Sequence, residues 1–215
     1  MLNVRTTLKR YIDLNILPKY HNFDGGHKVD HAYDVIRNAT LLANYYNFTD
    51  IQQEMIYTAA AYHDIGLTYD RETHHIHSHN MVLKDKKLQE FFTMQEIQII
   101  AKACLQHRSS NKDKVTSIFS KIIADADSMD CYNLEHNIKR TIEYRRNLGM
   151  RDYGEIMEDS RLHLIDKYGH EGYSKFHLTI TKKLLEGKKK DFMVVVYSKD
   201  KYAKVFAEVW KNVVK

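Results

Sequence analysis

Residues 56–66 read Ile56-Tyr57-Thr58-Ala59-Ala60-Ala61-Tyr62-His63-Asp64-Ile65-Gly66. The stretch opens apolar, narrows to three alanines, and ends on a histidine, an aspartate and a glycine. Ile56, Ala59 and Ala60 recur at helical spacing, and His63 continues their stripe. Thr49 stands where a helix N-cap belongs, and Gly66 where a helix stops. Three alanines carry little bulk, so neighbouring helices can come close. A helix that begins after Thr49 and delivers His63 into a packed interior is the element around which the other segments must be arranged.

The same period recurs on both sides. A first helix is predicted over 3–17, with Leu8, Tyr11, Ile12 and Ile16 on one stripe, broken by Pro18 and the stretch to Gly25-Gly26. A second runs from near His27 to about Tyr46. Its stripe is Val35, Ala39, Leu42 and Tyr46, and His31, four residues before Val35, shares it. A fourth is expected over about 76–90. A fifth starts at the capping box Thr93-Met94-Gln95-Glu96 and runs to His107. Further helices are expected over about 115–126 and 129–148, and from Tyr153 onward. The run Phe192-Met193-Val194-Val195-Val196-Tyr197 is rich in β-branched residues, and periodicity leaves so short a run open between strand and helix. One proline and eight glycines in 215 residues leave little room for the turns of an all-β fold. The expected class is all-α, as a single domain over 1–215 with a core about 20–135 and a C-terminal helical extension about 150–215.

Hydrophobic residues at 43% and charged residues at 28% are those of an ordinary globule. The net charge of +5 is mild and dispersed. It suits an anionic substrate without demanding one. Lys188-Lys189-Lys190 reads as a solvated helix end, so nucleic-acid binding is not expected. Cys104 and Cys131 form no CxxC pair and fit free thiols in a reducing compartment. The opening Met1-Leu2-Asn3-Val4-Arg5 lacks a signal-peptide core, and no apolar run approaches the ~20 residues of a membrane span. A cytoplasmic protein with no membrane contact is expected.

Histidine is the anomaly: of thirteen, seven fall at His27, His31, His63, His74, His75, His77 and His79. His31, His63, Asp64 and Asp127 are inward-facing groups at helix ends. A helical bundle can converge such groups on one point. Imidazole and carboxylate donors suit a divalent ion: Mn, Mg, Fe, Co, Ni or Zn.

The order His31, then His63-Asp64-Ile65-Gly66, then Asp125-Ala126-Asp127 resembles the H…HD…D signature of the HD-domain superfamily of metal-dependent phosphohydrolases. The entry Gly26-His27-Lys28-Val29-Asp30-His31 is similar to the S-H-D-x-x-H entry of one bacterial branch that includes nucleotide-cleaving enzymes. Asp125-Ala126-Asp127-Ser128-Met129-Asp130 resembles that branch's D-A-D-x-L-D. The resemblance implies an HD-domain helical bundle with metal ligands His31, His63, Asp64 and Asp127, and with Asp125 behind them. Two positions depart from the pattern. Gly26 replaces the entry serine. Asp34 stands where the branch often carries an arginine, with Arg37 one turn later. Some members of the family hold a second ion with extra histidines, and His75 and His107 stand at such positions. One ion is expected before two.

A metal-dependent phosphohydrolase follows as the expected enzyme. It would cleave a phosphoester or phosphoanhydride of a nucleotide or small phosphorylated metabolite. Asp64 is the candidate general base. His27, Lys28 and Arg108 are the candidates to neutralise phosphate charge, and His27 is a candidate catalytic group as well; Arg71 is a weaker candidate for phosphate. Two rivals stand beside it: a di-iron oxygenase of the same superfamily, and a nucleotide-sensing module that keeps a structural metal. Residues 150–215 match no pattern. A lid or a homodimer surface are both open there.

Overall fold

A computed structural model describes residues 3–23, 28–108 and 115–214. Among them are ten α-helices and no strand, so the chain is all-α. The helices are α1 (Thr6–Asn15), α2 (Val29–Ala43), α3 (Asp50–Tyr62), α4 (His74–Lys84), α5 (Met94–Gln106), α6 (Ile118–Ser128), α7 (Leu134–Asn147), α8 (Tyr153–Tyr168), α9 (Thr179–Val196) and α10 (Lys199–Val213). No described helix is long and apolar enough to cross a membrane. Residues 192–196 are the helical end of α9 rather than a strand, and Tyr197 is the turn after it.

The chain divides into two compact units. One comprises Met1–Ser128 with Phe176–Thr181, the other Met129–Lys175 with Lys182–Lys215. The sequence offered no low-complexity linker to announce this.

In the first unit α3 is the central helix. Every residue from Glu54 to Tyr62 is buried, and α2, α5 and α6 pack around it. The N-terminal part of the helix is tied twice. Thr49 and Gln52 form a reciprocal capping box at its start. The buried Glu54 carboxylate accepts from Nε of Arg5 at 2.8 and 2.9 Å, which settles a charge that burial would otherwise penalise. The three alanines let α5 come close enough for the Cys104 thiol to donate to the Ala59 carbonyl. Ile56, Ile97 and Ile100 fill the remaining space, each worth about 1.5–3 kcal/mol on burial. On α5 the expected capping box between Thr93 and Glu96 is present.

Two polar contacts set the register of the helices that carry the site. Asn38, two turns beyond His31 on α2, donates to the Ala126 carbonyl at 3.1 Å, so α6 is fixed beside α2 with Asp127 next to the bond. On α6 the Asp125 carboxylate accepts from the backbone N–H groups of His177 and Leu178 at 2.8 and 2.9 Å. Burial raises the Asp125 carboxyl pKa, and these two donors work against that rise.

The second unit is built on α7, α8, α10 and most of α9. A buried hydroxyl chain runs from Thr141 through Ser160 to Tyr202. Tyr132, Tyr168 and Phe192 form one aromatic cluster, and Tyr153, Phe206 and Trp210 another.

Candidate metal centre

His63 is the C-cap of α3, and Asp64 follows it out of helical geometry at φ −110°, ψ 2°. That change of backbone direction lets two adjacent side chains reach one place, which a continuous helix would forbid by turning them about 100° apart. The bend is held by Tyr20, wholly buried in the short 3-10 turn after α1. Its hydroxyl donates to the Ala61 carbonyl at 3.0 Å and accepts from the Asp64 N–H at 3.3 Å. One side chain thus satisfies both an unpaired carbonyl of the helix end and the first amide beyond it.

Six side chains meet at the bend. On one side, His31 Nε2 lies 3.1 Å from Asp127 Oδ1 and 3.7 Å from Asp64 Oδ2. His63 Nε2 lies 3.3 Å from Asp64 Oδ2 and 3.8 Å from Asp127 Oδ1. On the other side, His74 and His107 place Nε2 at 3.3 and 3.2 Å from Asp64 Oδ1. The two Nε2 atoms within each histidine pair are 3.3 Å apart. Asp64 therefore divides its two oxygens between two histidine pairs.

Three rings are fixed from behind. Nδ1 of His63, His74 and His107 lies 2.7 Å from the backbone carbonyls of Ala60, Arg71 and Cys104 respectively. A carbonyl can only accept, so each Nδ1 carries a proton and Nε2 is the atom each ring turns to the centre. This is the outer-shell arrangement that orients metal-binding imidazole. Imidazole nitrogens 3.3 Å apart beside buried carboxylates form a set of donors that a cation between them would satisfy. Donors about 2.1 Å from an ion lie about 3.0–3.4 Å from each other in octahedral or tetrahedral arrangements. The donor set fits divalent metal on both faces of Asp64.

The two faces differ in charge. For His63, burial opposes protonation, but the carboxylates of Asp64 and Asp127 prevail and raise it to about 9. For His74, burial prevails, His107 adds to it, and the pKa falls to about 4. Burial would push the Asp127 carboxyl up, yet His31 and His63 hold it well below the usual carboxylate range. The face with two carboxylates attracts a cation more strongly than the face with one. It is also the open face. The side chains of His31 and Asp127 are 20% and 25% exposed, whereas those of His74 and His107 on the other face are 11% and 2%.

The four residues expected as ligands, His31, His63, Asp64 and Asp127, do converge. Asp125 turns away to hold the segment at His177. His107 joins Asp64 as well, but its companion is His74. His75 belongs to neither donor cluster among the described residues. Thr73 is the N-cap of α4, and Asp70 accepts from the N–H and hydroxyl of Thr73 at 2.7 and 2.6 Å, which fixes where the helix starts. With His74 turned to Asp64, the next residue is rotated away. Ser78, which accepts from the Gly66 N–H, lies one helical turn from both His74 and His75, so helical spacing alone did not separate the two.

Of the expected phosphate-binding residues, His27 lies outside the described residues. Lys28 is the exposed N-cap of α2. Arg108 stands beside the centre and donates through its guanidinium to the carbonyl and the carboxylate of Glu72, the latter at 3.0 Å. Arg71 is exposed and supplies the carbonyl that orients His74. Arg37 is paired with Asp34 at 2.9 Å. Nothing in the sequence marked Tyr20.

Residues 29–131 match the family model described as HD domain, whose members are generally metal-dependent hydrolases on a helical fold. Searches of curated proteins and of solved structures returned no match.

Proposed function

We propose, from the match of residues 29–131 to the HD-domain family model, that the chain is a phosphohydrolase in which Asp64 would help to hold two divalent ions, one with each histidine pair. The observation that carries this reading is the division of the Asp64 carboxylate, Oδ2 to His63 and Oδ1 to His107. His31, His63 and Asp127 would hold one ion with Asp64, and His74 and His107 would hold the other with it. When bound, such ions acidify a water and polarise a phosphoryl oxygen.

The chain's own groups account for the rest. Asp127 and His31 line the exposed side, so the phosphate of a nucleotide or small phosphorylated metabolite enters there. Arg108 offers its guanidinium to the phosphate, in competition with Glu72. Lys28, at the start of α2, adds positive charge on the substrate side. Asp64 was also the candidate general base. With both oxygens facing imidazole nitrogens, its part in this proposal is that of shared ligand.

Asp64→Ala tests the reading. Loss of metal uptake and of phosphate release together supports it. A variant that hydrolyses at the wild-type rate in metal-free buffer refutes it.

A second reading draws on the same observation. Two histidine pairs sharing one carboxylate also suit a di-iron centre for oxygen chemistry. Two iron atoms per chain, with oxygen consumption and no phosphate release, would favour it.

A further inference from the structure

We infer that Gly66 is a positioning residue that sets His74 in the centre, so that a side chain at position 66 removes one half of the site and spares the other. The inference rests on the two-ion reading of the site.

An ideal Cβ on Gly66 would lie 2.0 Å from the His74 carbonyl oxygen, 2.6 Å from the Ser78 amide nitrogen and 2.8 Å from the His77 Cβ. Two of these neighbours are backbone atoms of α4, which no rotamer change can move. The glycine is not there for a left-handed conformation: among the described glycines, Gly149 is the one with positive φ. It is there because α4 begins directly on top of it. The contact is specific as well as close, since the buried Ser78 hydroxyl accepts from the Gly66 N–H at 2.9 Å.

The first turn of α4 must yield if this space is filled. The bend at Asp64 and Ile65 is buried and held by Tyr20, whereas residues 68–73, which lead into α4, are exposed. Restoring ordinary contact from 2.0 Å requires a movement of about 1 Å or more. Metal–ligand distances tolerate about 0.2 Å. His74 would therefore leave its place, while His31, His63 and Asp127, on α2, the end of α3 and α6, would keep theirs. Gly66 and Ser78 thus act on one half of the centre through His74, without touching an ion or substrate.

The test is calorimetric titration of metal-stripped full-length protein with Mn²⁺, with thermal melting as the control for folding. Wild type is expected to take two equivalents. Gly66→Ala is expected to keep the first at wild-type affinity and to lose the second or weaken it at least ~100-fold. Ser78→Ala, which keeps the space and loses only the hydrogen bond, is expected to weaken the second equivalent about 10-fold and leave the first alone. If Gly66→Ala does not fold, Ser78→Ala decides by the same criterion. Two unchanged equivalents in a folded variant, or equal loss of both, overturns the inference. Fewer than two equivalents in wild type overturns instead the two-ion reading beneath it.

Discussion

Asp64 Oδ1 lies 3.2 Å from Nε2 of His107, on the opposite side of the carboxylate from His63. His107 therefore serves the face that lacks Asp127. His107→Ala is expected to lower metal content by one ion per chain and to reduce phosphate release by at least ~100-fold, while the other ion stays bound. Elemental analysis of the purified variant beside wild type checks this.

The neighbouring histidines of α4 should behave differently. His74→Ala is expected to reproduce the loss seen on removing His107, and His75→Ala to retain both ions. Metal content of the two variants separates them directly, because adjacent helical positions face about 100° apart.

The two aspartates of α6 give a second contrast. Asp125 accepts two backbone N–H bonds, and an asparagine there can accept only through its one oxygen. Asp125→Asn is expected to lower stability by about 1–3 kcal/mol with metal stoichiometry unchanged. Asp127→Asn is expected to keep its fold and to bind metal more weakly. Denaturant melts and metal titrations on the same preparations distinguish the two.

Tyr20→Phe removes a hydroxyl that pairs with both the Ala61 carbonyl and the Asp64 N–H. A loss of about 1–3 kcal/mol in stability is expected, with metal affinity about 10–100-fold lower. Unaltered affinity in Tyr20→Phe would mean that the bend holds without it.

Much of the arrangement was legible because helical period is a strong signal over long segments. His31 and His63 lie on apolar stripes whose direction needs no tertiary information, and Thr93 and Glu96 announced the start of α5 in four residues. The register of α4 was harder. Choosing His74 over His75 depends on where the helix begins, and that is set by the turn between Asp70 and Thr73, which periodicity does not see. Gly66 was read as a helix stop. The helix had already ended at Tyr62, and the glycine answers to the backbone of α4, a contact between segments eight to twelve residues apart. Tyr20 acts across more than forty residues of sequence, where no local pattern points to it.

The measurement that bears most directly on the function is phosphate release from nucleoside mono-, di- and triphosphates by metal-stripped protein titrated with Mn²⁺. The expected result is no release without metal, then release that rises with added ion and saturates at two equivalents per chain. Full release by the stripped protein, or no release from any of these compounds at two equivalents of bound ion, would contradict a metal-dependent phosphohydrolase acting on nucleotides.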